Sequence, residues 1–283
     1  MRWPPYQHIF FDCDSTLTAV EGIDALADFA GKGWRVEVLT RAAMEGNLDL
    51  SQVYEKRLQA VKPTRGQIAR VRQIYKQHVV ADAAAVIAAL QYLNHKVYII
   101  SGGLAEPVEE FGVYLGVPRS HIRAVGVQYD ELSGAWWRSD GKTQVDRQRY
   151  LEYQAGALTI SNGKAEIVRE LLGEQRGRAL LIGDGVSDML AASAVDLFVG
   201  FGGVVQRERV LAEAPSFLHS SSLAPLLMLA TGPAMTHALL RSPHAATARS
   251  ALDKVKEGAV TFQDERLRAK FQQACEAVYS RPY

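Results

Sequence analysis

FFDCDSTLT, residues 10–18, decides the fold and poses a charge problem. An apolar run feeds into Asp12 and Asp14, which flank Cys13, with Ser15 and Thr16 behind them and no basic neighbour. Period-2 alternation sets both carboxylates on one side of an extended chain and Cys13 on the other. Read alone, the stretch is as much a strand-end cap or turn as a site, because Asp-Ser-Thr is also turn chemistry. A second acidic segment shifts the balance: GDGVSD, residues 183–188, places Asp184 and Asp188 after another apolar run. Four acids at neighbouring strand ends repel one another unless a cation sits among them. Carboxylates with a main-chain carbonyl and waters suit Mg²⁺, a hard ion that prefers oxygen.

Working outward, four short apolar runs read as buried parallel strands: HIFFD (8–12), KVYIIS (96–101), ALLIGD (179–184) and DLFVGF (196–201). Amphipathic helical stretches such as EPVEEFGVYL and KAEIVRELL separate them, which predicts an α/β fold with a doubly wound parallel sheet. In such sheets ligands bind beyond the carboxyl ends of the strands. Those ends hold Asp12, Asp14, Ser101 and Asp184.

Residues 19–80 break the alternation and read as helices only, which predicts a helical cap inserted after the first strand. The core is then 1–18 with 81–232, and 233–283 is a C-terminal helical extension, expected as a separate unit. Residues 125–138 (VGVQYDELSGAWWR) suggest a hairpin around a Ser-Gly turn. In the extension, Thr261-x-x-Asp264 resembles a helix start. Leu267, Phe271, Ala274, Cys275 and Val278 follow as one apolar face. That face is expected to pack back on the core, with a homodimer or partner contact as the alternative.

Composition excludes several function classes. In 283 residues, 32 Lys and Arg nearly balance 31 Asp and Glu, so bulk charge steers toward neither nucleic acid nor membrane. Cys13 and Cys275 form no disulfide framework or CxxC spacing. MRWPPYQH lacks the regions of a signal peptide, and LAPLLMLATGPAMTHALL is interrupted by prolines, Gly232 and His237. A cytoplasmic location is expected.

Two further segments point to an anion. Ser101-Gly102-Gly103 offers a hydroxyl and close N–H groups, although it also fits an ordinary strand-to-helix turn. Lys164 in SNGKAEIV stands in the first turn of a helix, the wrong end of the dipole for a cation. A bound phosphate reverses that penalty; a solvated surface lysine is the alternative.

Together FDCDST, ISGG, the Gly-Lys at 163–164 and GDGVSD resemble, in order, the four motifs of the haloacid dehalogenase superfamily phosphatases. The resemblance is closest to their phosphoserine phosphatase branch and covers most of residues 8–230, including EGIDALA, TRAAMEG…EKRL and VGFGGVVQRERV. It implies a Rossmann-like core with Asp12 as nucleophile, forming an aspartyl-phosphate, and Asp14 as general acid and base. Mg²⁺ would be held by Asp12, the main-chain carbonyl of Asp14 and Asp184, with Asp188 supporting the metal shell or Lys164. Ser101, Gly102 and Lys164 would bind the phosphate. Glu21 would meet a substrate ammonium and Arg57 a carboxylate, with Met44 and Arg207 lining the pocket. The implied substrate is O-phospho-L-serine; the alternative is a related phosphatase or phosphotransferase acting on another small phosphomonoester, a phosphosugar or an amino-alcohol phosphate. This chain departs from the family pattern at Met44-Glu45-Gly46, at Leu50 in place of a phenylalanine and at Ser187 in place of an asparagine. It also has a longer segment carrying Trp136 and Trp137, and the tail from about 233.

Overall fold

The computed structural model describes residues 3–44, 50–133 and 145–279. Its centre is β1 (His8–Phe11), whose four residues are all buried. β1 pairs in parallel with β2 (Lys96–Leu104) on one side and β6 (Ala179–Gly183) on the other. The full sheet runs β3-β2-β1-β6-β7-β8-β9, with β3 (Ile122–Val125), β7 (Leu197–Phe201), β8 (Ser216–Leu218) and β9 (Val260–Phe262). All neighbours are parallel except β9, which is antiparallel to β8.

Burial on both faces explains the nearly continuous apolar runs of the central strands. Ile9, Phe11, Val97, Ile99, Leu180 and Ile182 face one core cluster. Phe10, Tyr98, Ile100 and Leu181 face the other, with the Phe10 and Tyr98 rings stacked at 4.5 Å. The period-2 alternation of side chains produces this division. All four strands expected from the sequence are present. β2 runs further than expected, through the Ser-Gly-Gly segment to Leu104, with a register irregularity against β3 between Ile100 and Leu104.

Between β1 and β2 the described chain is helical: α1 (Gly22–Phe29), α2 (Gly33–Met44), α3 (Leu50–Val61), α4 (Arg65–Gln77) and α5 (Ala83–Tyr92). Thr64 caps α4 through a reciprocal pair of bonds with Gln67. α6 (Ala105–Tyr114) follows β2, and α7 (Lys164–Leu172) covers the KAEIVRELL stretch. α8 (Val186–Leu190) and α9 (Glu208–Glu213) follow β6 and β7.

Two expectations are corrected. The hairpin over 125–138 is not the pairing found: β4 (Val127–Asp130) pairs antiparallel with β5 (Arg149–Tyr153). Ser133 ties the two, donating its hydroxyl to Asp130 O and accepting from Arg149 N. Trp136 and Trp137 lie outside the described residues. The tail is not a separate unit either. It forms α11 (Pro233–Ala238), α12 (Ala245–Lys256), β9 and α13 (Glu265–Tyr279), and β9 completes the core sheet. Thr261 belongs to β9, and the start of α13 is Asp264, whose Oδ1 accepts from Arg266 N and Leu267 N. Phe271, Ala274, Cys275 and Val278 pack inward as expected. Trp3 locks the N-terminal segment to this tail. Its indole donates to Leu229 O, and its ring meets Phe262 and Phe271 edge-on. α10 (Leu226–Thr231), from the most apolar stretch, is entirely buried. Among the described residues no helix is long and apolar enough to cross a membrane.

Candidate active site

The carboxyl ends of β1, β2 and β6 converge as the strand pattern predicts. Asp12 and Asp14 follow β1 and line one cavity with Ser101, Gly102 and Lys164, while Cys13 turns into the apolar core. Cys13 O accepts from the N–H groups of Thr16, Leu17 and Thr18, which curls the chain tightly, and Ser15 takes a positive φ of 56° there. A serine in this region is uncommon and marks a constrained turn.

Lys164 settles between two acids. Its Nζ lies 2.7 Å from Asp12 Oδ1 and 2.6 Å from Asp188 Oδ1, and all three side chains are buried. The solvated-lysine alternative is excluded. Burial works against the charge of Lys164, but the attraction of Asp12 and Asp188 overrides it and raises the pKa. Gly183 permits this close approach, because a Cβ there would stand 2.3 Å from Asp188 Cγ. Asp188 Oδ2 also accepts from Gly185 N at 3.1 Å.

Ligand atoms of Asp12, Asp184 and Asp188 lie within 4.8 Å of one another. Burial pushes Asp14 and Asp184 up to about 7 and Asp188 up to about 8, with the mutual repulsion of the acids contributing to each. An all-oxygen, acid-rich and buried donor set of this kind fits a hard divalent cation. Thr16 Oγ1 reaches Asp184 Oδ1 at 3.4 Å. Ser101 Oγ accepts from Gly103 N at 2.9 Å, and its own proton remains available to an anion.

Helices α1, α3 and α4 supply the opposite wall. Glu21, Arg57, Tyr54 and Tyr75 line the same cavity as Asp12 and Asp14. Glu21 accepts from Ser15 Oγ at 2.8 Å and lies 3.6 Å from Arg207 Nη2, and burial pushes its pKa up to about 8. Arg207 in turn holds Asp184 Oδ2 at 2.9 Å. Arg57 is buried over the Tyr54 ring, 5.5 Å from its centroid, and burial lowers its pKa from the ordinary value. Met44 ends α2, but its side chain lies outside the described residues, as do Glu45, Gly46 and the side chain of Leu50.

Tyr54 and Tyr75 line the cavity without having been singled out by the sequence. Tyr54 stands one turn before Arg57 on α3, and its hydroxyl donates to Gly102 O at 2.8 Å. Tyr75 shares the buried face of α4 with Ile68 and Val71, so its spacing is that of a core residue. The i, i+3 relation of Tyr54 to Arg57 was the one available signal.

The chain matches the haloacid dehalogenase-like hydrolase family over residues 6–196. It is 32% identical over 211 residues to phosphoserine phosphatase of Mus musculus, spanning 71% of this chain and 84% of that protein. The Homo sapiens phosphoserine phosphatase is 31% identical over 210 residues, with the same coverage. Among solved structures, a phosphoserine phosphohydrolase-like protein from Francisella tularensis superposes with a TM-score of 0.66 at 24% identity. The superposition covers 79% of this chain and 99% of that one. A substrate-bound phosphoserine phosphatase complex also gives 0.66 at 22% identity, over 78% and 97% of the two chains. These structural likenesses concern the fold, whereas the family match includes the segments that carry Asp12, Ser101, Lys164 and Asp184. The chain belongs to the haloacid dehalogenase-like hydrolases and is a phosphoric monoester hydrolase of the phosphoserine phosphatase-like type.

Proposed function

We propose that this enzyme hydrolyses O-phospho-L-serine, using Mg²⁺ and a phosphorylated Asp12. The observation that carries the reading is one cavity shared by Asp12, Asp14, Ser101, Gly102 and Lys164 with an acid and a base on its other wall, the half-buried Glu21 carboxyl and the buried Arg57 guanidinium. A phosphorylated amino acid presents a phosphate, an ammonium and a carboxylate, which pair with Lys164, Glu21 and Arg57 in that order. The relatives named phosphoserine phosphatase support the same substrate.

In this mechanism Asp12 attacks phosphorus and Asp14 gives a proton to the leaving alkoxide. Asp14 then takes a proton from the water that hydrolyses the acyl phosphate, acid–base work generally valued at about 10²–10⁴-fold. Burial raises its pKa and so favours the proton-bearing form that the first step needs. Lys164, Ser101 Oγ and the backbone at Gly102 hold the transferring oxygens. Asp12, the main-chain carbonyl of Asp14 and Asp184 would hold Mg²⁺, with the nearby Asp188 bound to Lys164. The ion would offset negative charge shared by the acids and the phosphoryl group. The resemblance would add Met44 and Arg207 to the substrate contacts; Arg207 stands outside the lining of this cavity, on Asp184 and Glu21.

Helices α1–α4 (19–80) act as a cap over the core, which includes β9 of the tail. The cavity measures about 50 Å³, room for a few waters. In this reading the cap closes over the site and excludes bulk water from the acyl phosphate.

The test is a panel of phosphomonoesters assayed with Mg²⁺ and with chelator, for wild type and Asp12→Asn. Phosphoserine is expected to be the best substrate, with no turnover by folded Asp12→Asn. Free turnover by that variant refutes the mechanism. Strong preference for a phosphosugar or an amino-alcohol phosphate replaces the substrate.

A further inference from the structure

Tyr75 carries a buried polar atom that the mechanism leaves unused. Its side chain is fully buried, yet its hydroxyl has no aligned hydrogen-bond partner. Asp14 Oδ1 is likewise buried without an aligned partner, while Asp14 Oδ2 accepts from Gly22 N at 3.3 Å; Tyr75 and Asp14 stand close enough that each shifts the other's pKa. Both orphaned groups line the same cavity. Buried polar atoms are nearly always satisfied, and each of these two is the neighbour placed to satisfy the other.

The surroundings hold Tyr75 in place. The Tyr75 ring packs on Phe111 of α6 with centroids 5.4 Å apart. α4 is also clamped to α6 by Arg72 and Lys76, at 2.7 and 2.9 Å from Glu110, and by Arg65, at 3.2 Å from Glu106. Gly22 makes room for the hydroxyl, because a Cβ at that position would stand 2.2 Å from it. The glycine thus brings its N–H to Asp14 and leaves space for Tyr75 beside it.

We propose that Tyr75 is a positioning residue for Asp14, its hydroxyl donating to the carboxyl from a fixed place on α4. With the Gly22 N–H it sets the plane of the carboxyl, so that the proton of Asp14 points at the ester oxygen. This inference rests on Asp14 being the acid of the proposed mechanism. It makes a demand that a purely structural tyrosine does not. Loss of the hydroxyl should harm esters that need a proton to leave and spare those that do not.

The experiment compares kcat/KM, with Mg²⁺, for O-phosphoserine and for p-nitrophenyl phosphate. The first expels an alkoxide that must be protonated; the second expels a stable phenolate. kcat/KM reports the first phosphoryl transfer only, so a shared hydrolysis step does not mask the difference. Tyr75→Phe keeps the ring on Phe111 and should lose about tenfold on phosphoserine and less than about threefold on the aryl ester, a fraction of the usual general-acid effect. Gly22→Ala, which presses a methyl onto the hydroxyl, should give the same selective loss, and its effect should shrink when added to Tyr75→Phe. An equal loss on both esters, or no loss on either, overturns the inference while leaving the phosphatase reading intact. A wild type inert toward both esters overturns the two together.

Discussion

Gly183→Ala tests the idea that the site depends on backbone clearance as much as on charge. The added Cβ would lie 2.3 Å from Asp188 Cγ and 2.5 Å from its Oδ2. Carbon atoms pack at about 3.5 Å or more, so the carboxyl must retreat by about 1.2 Å, the difference between 3.5 and 2.3. The Asp188–Lys164 contact is only 2.6 Å long, and Lys164 is the group that reaches Asp12 at 2.7 Å. A displacement of that size separates the first pair and lets the ammonium drift from the second. Misplacing reacting groups by about 1 Å can cost about 10²-fold in rate, and overpacking a buried site typically costs about 1–3 kcal/mol. The expected variant is folded and unfolds at lower denaturant concentration, with kcat/KM for a phosphomonoester down by about 10²-fold. Steady-state phosphate release and urea titration read the two quantities separately. Activity within about threefold of wild type would refute the reasoning, because Asp188 would then have moved without consequence.

Two other predictions concern charge. Lys164→Met leaves Asp12 and Asp188 buried without their shared cation, a loss generally worth about 3–5 kcal/mol; urea titration should show a shift of that order, together with loss of turnover. Burial raises Asp14, Glu21, Asp184 and Asp188 above their unfolded values, so between about pH 4 and pH 8 the folded protein binds more protons than the unfolded chain. This cluster therefore favours folding at low pH and loses that contribution as pH rises through the folded values; Tm in chelator should fall from pH 5 to pH 8, and excess Mg²⁺ should flatten the fall. A melt that Mg²⁺ leaves unchanged at pH 8 contradicts the assigned ion site.

How much of this was readable in advance depended on segment length and on charge placed where it is costly. β1 and β6 show because four or five consecutive apolar residues lead into aspartates. Lys164 shows because a cation in the first helical turn needs a reason. β8 and β9 have three residues each, too few for alternation to be distinguished from a loop. The partner of β4 was hidden for another reason: β5 lies beyond a long connection, and Ser133, read as a tight turn, bridges to Arg149 instead. Tyr75 was invisible because its buried ring and its cavity-facing hydroxyl require the same position on α4, and helical spacing reports only the first. Glu21 and Arg57 were found through resemblance. Their burial against one cavity is a tertiary fact that the periodicity of α1 and α3 does not contain.

The clasp between Trp3 and the last helix also bears on the order in which the molecule is completed during synthesis. Every carboxylate of the site has been made once residue 188 is added, and Arg207 follows soon after. Yet the buried face of α10 packs against α12, and Trp3 waits for Phe262 and Phe271. A ribosome thus holds a chain whose proposed catalytic groups all exist while a mostly apolar helix and the outer side of β8 remain uncovered. The last fifth of the polypeptide governs how long that sticky interval lasts, although it contributes no residue to the proposed chemistry.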